Sequence, residues 1–147
     1  MAITQAFCTS AKVQLLTATH NFTNAANVFK LALFRATASI VGTFGAGTTN
    51  YSDMGADEAS GTNYSAGGSA LTNVTPTSSG TTAFCDFADL VFSNVTITTS
   101  GALIYNSSST NKAIGVFSFG GDKTATAGDM TIIFPTADAS NAIIRLV

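Results

Sequence analysis

The chain has 147 residues, of which 46% are apolar, and this is enough for one domain with its own hydrophobic core. Only 10% of its residues are charged, against about 25% in an average globular domain, and its net charge is −2. Proteins that bind nucleic acid need clustered basic side chains, whereas the six Lys and Arg residues here are scattered. The composition therefore argues against contact with nucleic acid.

The first residues, MAITQAFCTSAKVQLL, have neither the basic region nor the uninterrupted apolar core of a signal peptide. No window approaches the roughly 18 apolar residues of a membrane helix, so we expect cytoplasmic synthesis and no contact with a membrane. Disulfides are rare in reducing compartments, which predicts that Cys8 and Cys85 are free, buried thiols. A disulfide between them is the alternative.

The first predicted element is an N-terminal α-helix over about residues 3–18. It is indicated by a partial 3.6-residue spacing of apolar side chains, namely Ile3, Ala6, Phe7, Ala11, Val13, Leu15 and Leu16. His20 follows in a polar segment, where we interpret it as a capping or surface residue.

A first strand is predicted over residues 28–35, and a Gly-rich excursion follows it over residues 42–68. Loops of this length without structure are uncommon in compact domains, so the excursion is either functional or flexible. Residues 53–58 within it are expected to form one helical turn.

Short strands are predicted through the rest of the chain. They cover residues 70–75, 81–87, 90–98, 102–105, 113–117, 129–134 and 142–146, and Pro76 is expected to end the first of them. Residues 102–105 and 113–117 form a hairpin whose polar tip is rich in Ser, Thr and Asn. We therefore predict a mainly β, single-domain fold spanning residues 1–147: an antiparallel β-sandwich or barrel with one N-terminal α-helix.

Residues that could carry catalysis are few, and we expect no enzymatic activity, no cofactor and no metal. His20 is the one histidine, and the two cysteines lack the spacing of metal ligands. Asp86 with Asp89, and Asp57 with Glu58, are interpreted as turn residues that accept backbone hydrogen bonds.

Four segments resemble a group of small proteins encoded in tailed-bacteriophage genomes: SGTNYSAGGSALTNVT, GALIYN, FGGDKTATAGD and FPTADASNAIIRL. The resemblance extends from about Cys8 to the C-terminal residue. It implies a structural protein of the virion, in particular a capsid decoration (cement) protein present in many copies. The partners it implies are the major capsid protein and copies of this chain, as a dimer or trimer.

Two other functions stay open: a structural protein of the tail or head–tail connector, and a module that binds carbohydrate or a cell surface. For the last of these, Tyr51, Tyr64 and Tyr105 could stack on sugar rings. With Phe44, these tyrosines are the candidate interface residues. Residues 42–68, the N-terminal segment and the polar hairpin tip are expected to supply contacts with a partner.

Overall fold

The structure, a computed structural model that describes residues 2–147, contains one α-helix, α1 (Thr9–Leu16), in its described part. The strands are β1 (Ala2–Ile3), β2 (Ala6–Phe7), β3 (Phe29–Phe34), β4 (Thr43–Phe44), β5 (Ser69–Ala70), β6 (Asn73–Ser79), β7 (Thr82–Phe87), β8 (Leu90–Asn106), β9 (Lys112–Ile132) and β10 (Ile144–Leu146). Strands hold 49% of the residues and helices 12%, which confirms a mainly β fold with an N-terminal helix. Among the described residues, no helix has the length and hydrophobicity needed to span a membrane.

The strands form two antiparallel sheets and one short parallel pair. The five-stranded sheet has the order β2-β9-β8-β3-β5, and the three-stranded sheet has the order β10-β7-β6. The parallel pair joins β1 to β4. Each strand order is linear, so these sheets do not form a closed barrel.

The centre of the molecule is the hairpin of β8 and β9, whose strands are 17 and 21 residues long. Toward its tip, β8 is buried from Ser100 to Asn106, because β3 pairs with this half of the strand. The other half alternates between buried and exposed side chains. Register shifts between Phe92 and Gly101 and positive φ angles at Gly120 and Gly121 curve the hairpin.

The predicted helix over residues 3–18 is wrong in its bounds. Two short strands precede Thr9 instead, because the backbone of Ala2–Ile3 pairs with Thr43–Phe44 and that of Ala6–Phe7 pairs with Gly115 and Val116 of β9. Ile3, Ala6 and Phe7 therefore belong to strands, and the helix is confined to eight residues.

The strand that was expected to end at Pro76 instead continues through it, as β6. Proline is tolerated here because β6 is an edge strand with a bulge between Val74 and Thr77, so the missing N–H breaks no ladder. Predicted strands over 28–35, 81–87 and 142–146 are confirmed as β3, β7 and β10. Residues 90–98 and 102–105 form the single strand β8, whereas 113–117 and most of 129–134 belong to β9.

The Gly-rich excursion over residues 42–68 has defined structure and packs on β3. A 3-10 helix covers Tyr51–Asp57, which confirms the predicted helical turn, and the Ala59 amide donates to Leu33 O at 2.7 Å. Gly68 closes the excursion with a φ of +68°, and a Cβ there would lie 1.8 Å from Leu31 O. Only glycine fits this close approach.

Candidate interaction surface

The three tyrosines of the sequence lie together near Glu58, and two of them donate hydrogen bonds to its carboxylate. Tyr51 donates its hydroxyl to Glu58 Oε2 at 2.5 Å, and Tyr64 donates to Glu58 Oε1 at 2.9 Å. The Gly67 amide donates to the same Oε1 at 2.6 Å. Tyr105 donates to Gly67 O at 2.7 Å and stacks on Tyr51 with a centroid separation of 4.7 Å. We call these four side chains, Glu58, Tyr51, Tyr64 and Tyr105, the tyrosine cluster.

The environment of the tyrosine cluster keeps its phenols neutral. Burial, and after it Glu58, raises the pKa of Tyr105 to about 12. Burial likewise raises the pKa of Tyr51 and of Tyr64 well above the ordinary value, and hydrogen bonding to Glu58 adds to this. Because these hydroxyls are paired within the chain, the cluster fastens the excursion to β3 and β8.

Of the four candidate interface residues, the structure brings the tyrosines together and places Phe44 elsewhere. Phe44 is buried against Phe34, with ring centroids 4.6 Å apart, and Tyr105 is also buried. Neither ring has a face free for a partner or a sugar in this conformation. Tyr51 and Tyr64 are half-buried.

The carboxylates of the excursion and of β7 accept backbone hydrogen bonds, as the sequence predicted for turn residues. Asp57 accepts from the amides of Val41 at 2.9 Å and Gly42 at 2.7 Å, and pairs with Arg35 Nη2 at 2.9 Å. Asp86 accepts in the same way from the amide of Phe87 at 2.8 Å and from that of Ile143 at 3.2 Å. Within residues 2–147, no three His, Cys, Asp or Glu side chains group closely enough to hold a metal ion.

The polar hairpin tip, which was expected to meet a partner, makes contacts within the chain. Ser107 Oγ donates to Val28 O at 2.8 Å, and Ser109 Oγ donates to Thr19 O at 3.2 Å. Ser108 Oγ accepts from the Val28 amide at 2.9 Å. The three serines therefore tie the tip to the segment after α1.

His20 lies in this same junction, and its interpretation as a capping or surface residue is wrong. It is buried, and both ring nitrogens have partners, Gln14 on α1 and Asn106 at the end of β8. His20 is buried because the hairpin tip folds over the segment that follows α1. Its contact with Asn106 joins residues that are 86 positions apart in the chain.

An apolar surface that sequence reasoning missed lies in the bend of β9. Two adjoining cavities of about 410 and 450 Å³ share Phe119, Ile132 and Ile133, and Arg145 lines the first whereas Lys123 and Asp129 line the second. We call the surface defined by these three residues the hairpin groove. Ile133 is 77% exposed although it follows a strand in an apolar run. The run Ile132-Ile133-Phe134 was the available signal, and the sequence predicts it only as the end of a strand over residues 129–134.

Exposed apolar side chains also occur on α1, within the N-terminal segment that was expected to contact a partner. Val13 is 58% exposed and Leu16 is 90% exposed, one turn apart on the helix. Ala11 is the buried residue of this helix. The helix therefore presents apolar side chains to its outer face.

Comparison of this chain with protein-family models, with curated proteins and with solved structures finds no match.

Proposed function

We propose that this chain is a non-enzymatic structural protein of a bacteriophage virion, and specifically a capsid decoration (cement) protein that bridges capsid subunits. The hairpin groove carries the proposal, because Ile133 is 77% exposed there beside the half-buried Phe119 and Ile132. Contiguous exposed apolar surface on a soluble chain is typical of a site that another protein covers. The resemblance of the sequence to phage structural proteins supports the choice of the capsid as partner.

Low charge supports the same function. With 10% charged residues, the surface gives weak electrostatic repulsion between neighbouring copies in a dense shell. Ordering Ser, Thr and Asn at a contact also costs less side-chain entropy than ordering Lys or Glu.

In this proposal the fold is an antiparallel β-sandwich. This is supported by the packing of Phe29 in the five-stranded sheet against Phe87 in the three-stranded sheet.

A cement protein acts by mass action. A subunit that binds the assembled shell and not its separated components stabilises the shell by an amount that grows with its concentration and affinity. We infer that the partner at the groove is the major capsid protein, and that the virion is where this chain is found. Association with further copies of this chain, as a dimer or trimer, remains a prediction that sedimentation of the isolated protein tests.

The test is to strip phage heads of this protein, add it back, and measure both binding and the temperature at which the heads rupture. Ile133→Lys places a charge in the groove, and we expect at least a tenfold rise in Kd, about 1.4 kcal/mol. Val41→Lys is the matched control, because Val41 is 72% exposed and lies outside the groove. Equal binding by both variants would exclude the groove as the contact.

Salt dependence distinguishes an apolar contact from a charged one. We expect binding to persist from low to about molar salt, since apolar contacts and neutral hydrogen bonds are little screened. A steep loss of binding at high salt would contradict the apolar interface. An unchanged rupture temperature with the protein fully bound would exclude the cement role, and binding to tails instead of heads would favour the tail or connector function.

A further inference from the structure

The hydrogen bonds around His20 select one form of the imidazole. His20 Nε2 lies 2.8 Å from Gln14 Oε1, and Nδ1 lies 3.0 Å from Asn106 Nδ2. A carbonyl oxygen only accepts and an amide nitrogen only donates, so Nε2 carries the proton and Nδ1 accepts. The site therefore holds a neutral ring in a single tautomer.

Asn106 cannot turn its amide to accommodate a second proton on His20. Its Nδ2 also donates to Asn27 Oδ1 at 3.0 Å, and its Oδ1 accepts from the Ser108 amide at 3.0 Å. Asn106 is fully buried, so a rotated amide would lose both bonds without water to replace them. A proton on His20 Nδ1 would consequently face a donor.

The other groups around His20 also oppose a charge on the ring. Phe22 and Phe29 lie with centroids 6.3 and 6.4 Å from it, which leaves this side apolar. Burial, and after it the positive charge of Lys112 on β9, lowers the pKa of His20 below its ordinary value. Cys85 of β7 lines the same cavity of about 360 Å³, and burial raises the pKa of its thiol to about 12, so it stays neutral. The contacts from α1, β3 and β8 are uncharged: Gln14, Phe29 and Asn106.

We propose that His20 is a pH-sensitive latch, which in its neutral form holds residues 9–28 against the hairpin tip and on protonation releases them. The new N–H at His20 Nδ1 faces the Nδ2 donor of Asn106. The repulsion between these two donors is removed when residues 9–28 separate from the hairpin tip. Separation breaks the bonds of Ser107 to Val28 and of Ser109 to Thr19. It also uncovers the stacked rings of Phe22 and Phe29. The latch does not depend on the proposed function.

The test uses the wild-type protein, because His20 is its one histidine and a nuclear magnetic resonance titration of imidazole reads a single site. We expect the Nε2–H tautomer at neutral pH and a titration midpoint below 6.5. Amide exchange of Ser107 and Val28, whose N–H groups donate across the two segments, should, after correction for intrinsic rates, rise about tenfold per unit of pH below 6.5 until the folded-state pKa is reached. Exchange of Leu103, within the β3–β8 pairing, should not follow this dependence. A midpoint at or above 6.5, or exchange at the tip that ignores pH, would overturn the latch.

A variant that replaces the opposing donor gives the second readout. Asn106→Asp places an acceptor before Nδ1, so the charged ring gains a partner and the titration midpoint should rise above that of the wild type. Asn24→Asp is the matched control, since Asn24 is exposed in the same segment and gains the same charge. Equal midpoints in the two variants would overturn the role of Asn106. Should Asn106→Asp fail to fold, the wild-type titration and exchange decide the proposal alone.

Discussion

Phe29 of β3 and Phe87 of β7 pack with their ring centroids 5.7 Å apart, and this contact joins the five-stranded sheet to the three-stranded sheet. Phe29 also stacks on Phe22 at 4.5 Å, and Phe87 contacts Phe134 at 5.7 Å. Four aromatic rings from separate parts of the chain thus form one cluster in the core.

This cluster of phenylalanines predicts a large loss of stability when one of its rings is truncated. Phe87 is 3% exposed, so Phe87→Ala should lower the free energy of unfolding by about 3–5 kcal/mol through lost burial and a cavity. Urea unfolding followed by circular dichroism measures this. The exposed Val41→Ala serves as control, with an expected change below about 0.5 kcal/mol. Similar values for the two variants would mean that the sheets do not depend on this contact.

The tyrosine cluster predicts a delayed and cooperative ionisation at high pH. The pKa of each tyrosine is raised above its ordinary value of 10, so the unfolded chain ionises first as pH rises. The stability contributed by the neutral phenols is therefore present below pH 10 and is lost as pH rises through the folded-state values. Tyrosinate absorbance should appear together with the loss of β-sheet circular dichroism. Gradual ionisation near pH 10 in a fully folded protein would contradict the cluster.

Asp57 predicts an acid-dependent contribution to stability. Burial opposes its ionised form, but the amides of Val41 and Gly42 together with Arg35 outweigh burial and hold its pKa below the ordinary 3.8. Asp57→Asn should cost about 1–3 kcal/mol near neutral pH, toward the lower end because the Arg35 side chain is 32% exposed. A depressed pKa adds stability above 3.8 that is lost as pH falls through the folded-state value, so the difference from wild type should shrink there.

The matched control for Asp57→Asn is Asp129→Asn, an exposed acid that accepts one backbone hydrogen bond from Asn94. Its expected change is below about 0.5 kcal/mol. Urea titrations at several pH values measure the free energy of unfolding of both variants. If the loss caused by Asp57→Asn stayed constant down to the lowest pH, the ionised carboxylate would not be what stabilises the fold through Arg35 and the two amides.

The burial of both cysteines predicts that their thiols react with a reagent only after the protein unfolds. The structure confirms Cys8 and Cys85 as free and buried, and burial raises the pKa of Cys8 to about 11 and of Cys85 to about 12. The nucleophilic thiolate is therefore scarce and inaccessible near neutral pH. A thiol reagent should react with neither residue in the folded protein and with both after denaturation without reductant. Rapid labelling of the folded protein would contradict this burial.

Local pattern was sufficient for β3 and for the hairpin, because both are short apolar runs bounded by polar residues. The run that contains Phe29, Leu31 and Leu33 predicted β3, and the apolar runs beside the polar tip predicted the hairpin. Turn residues were also predictable, because Asp and Gly act through hydrogen bonds and φ angles of their immediate neighbours. Asp86, for example, accepts from the amide of Phe87 beside it.

The sequence by itself determined a mainly β domain with an N-terminal helix, because alternation and helical spacing are patterns of neighbouring residues. It also indicated free thiols, because the expected site of synthesis is reducing. Only the tertiary structure decided where the helix begins, since Ala6 can pair with Val116 only once the hairpin exists. It likewise buried His20 under Asn106 and gathered the tyrosines near Glu58. These outcomes depend on contacts between residues far apart in the chain, whose energies no local window contains.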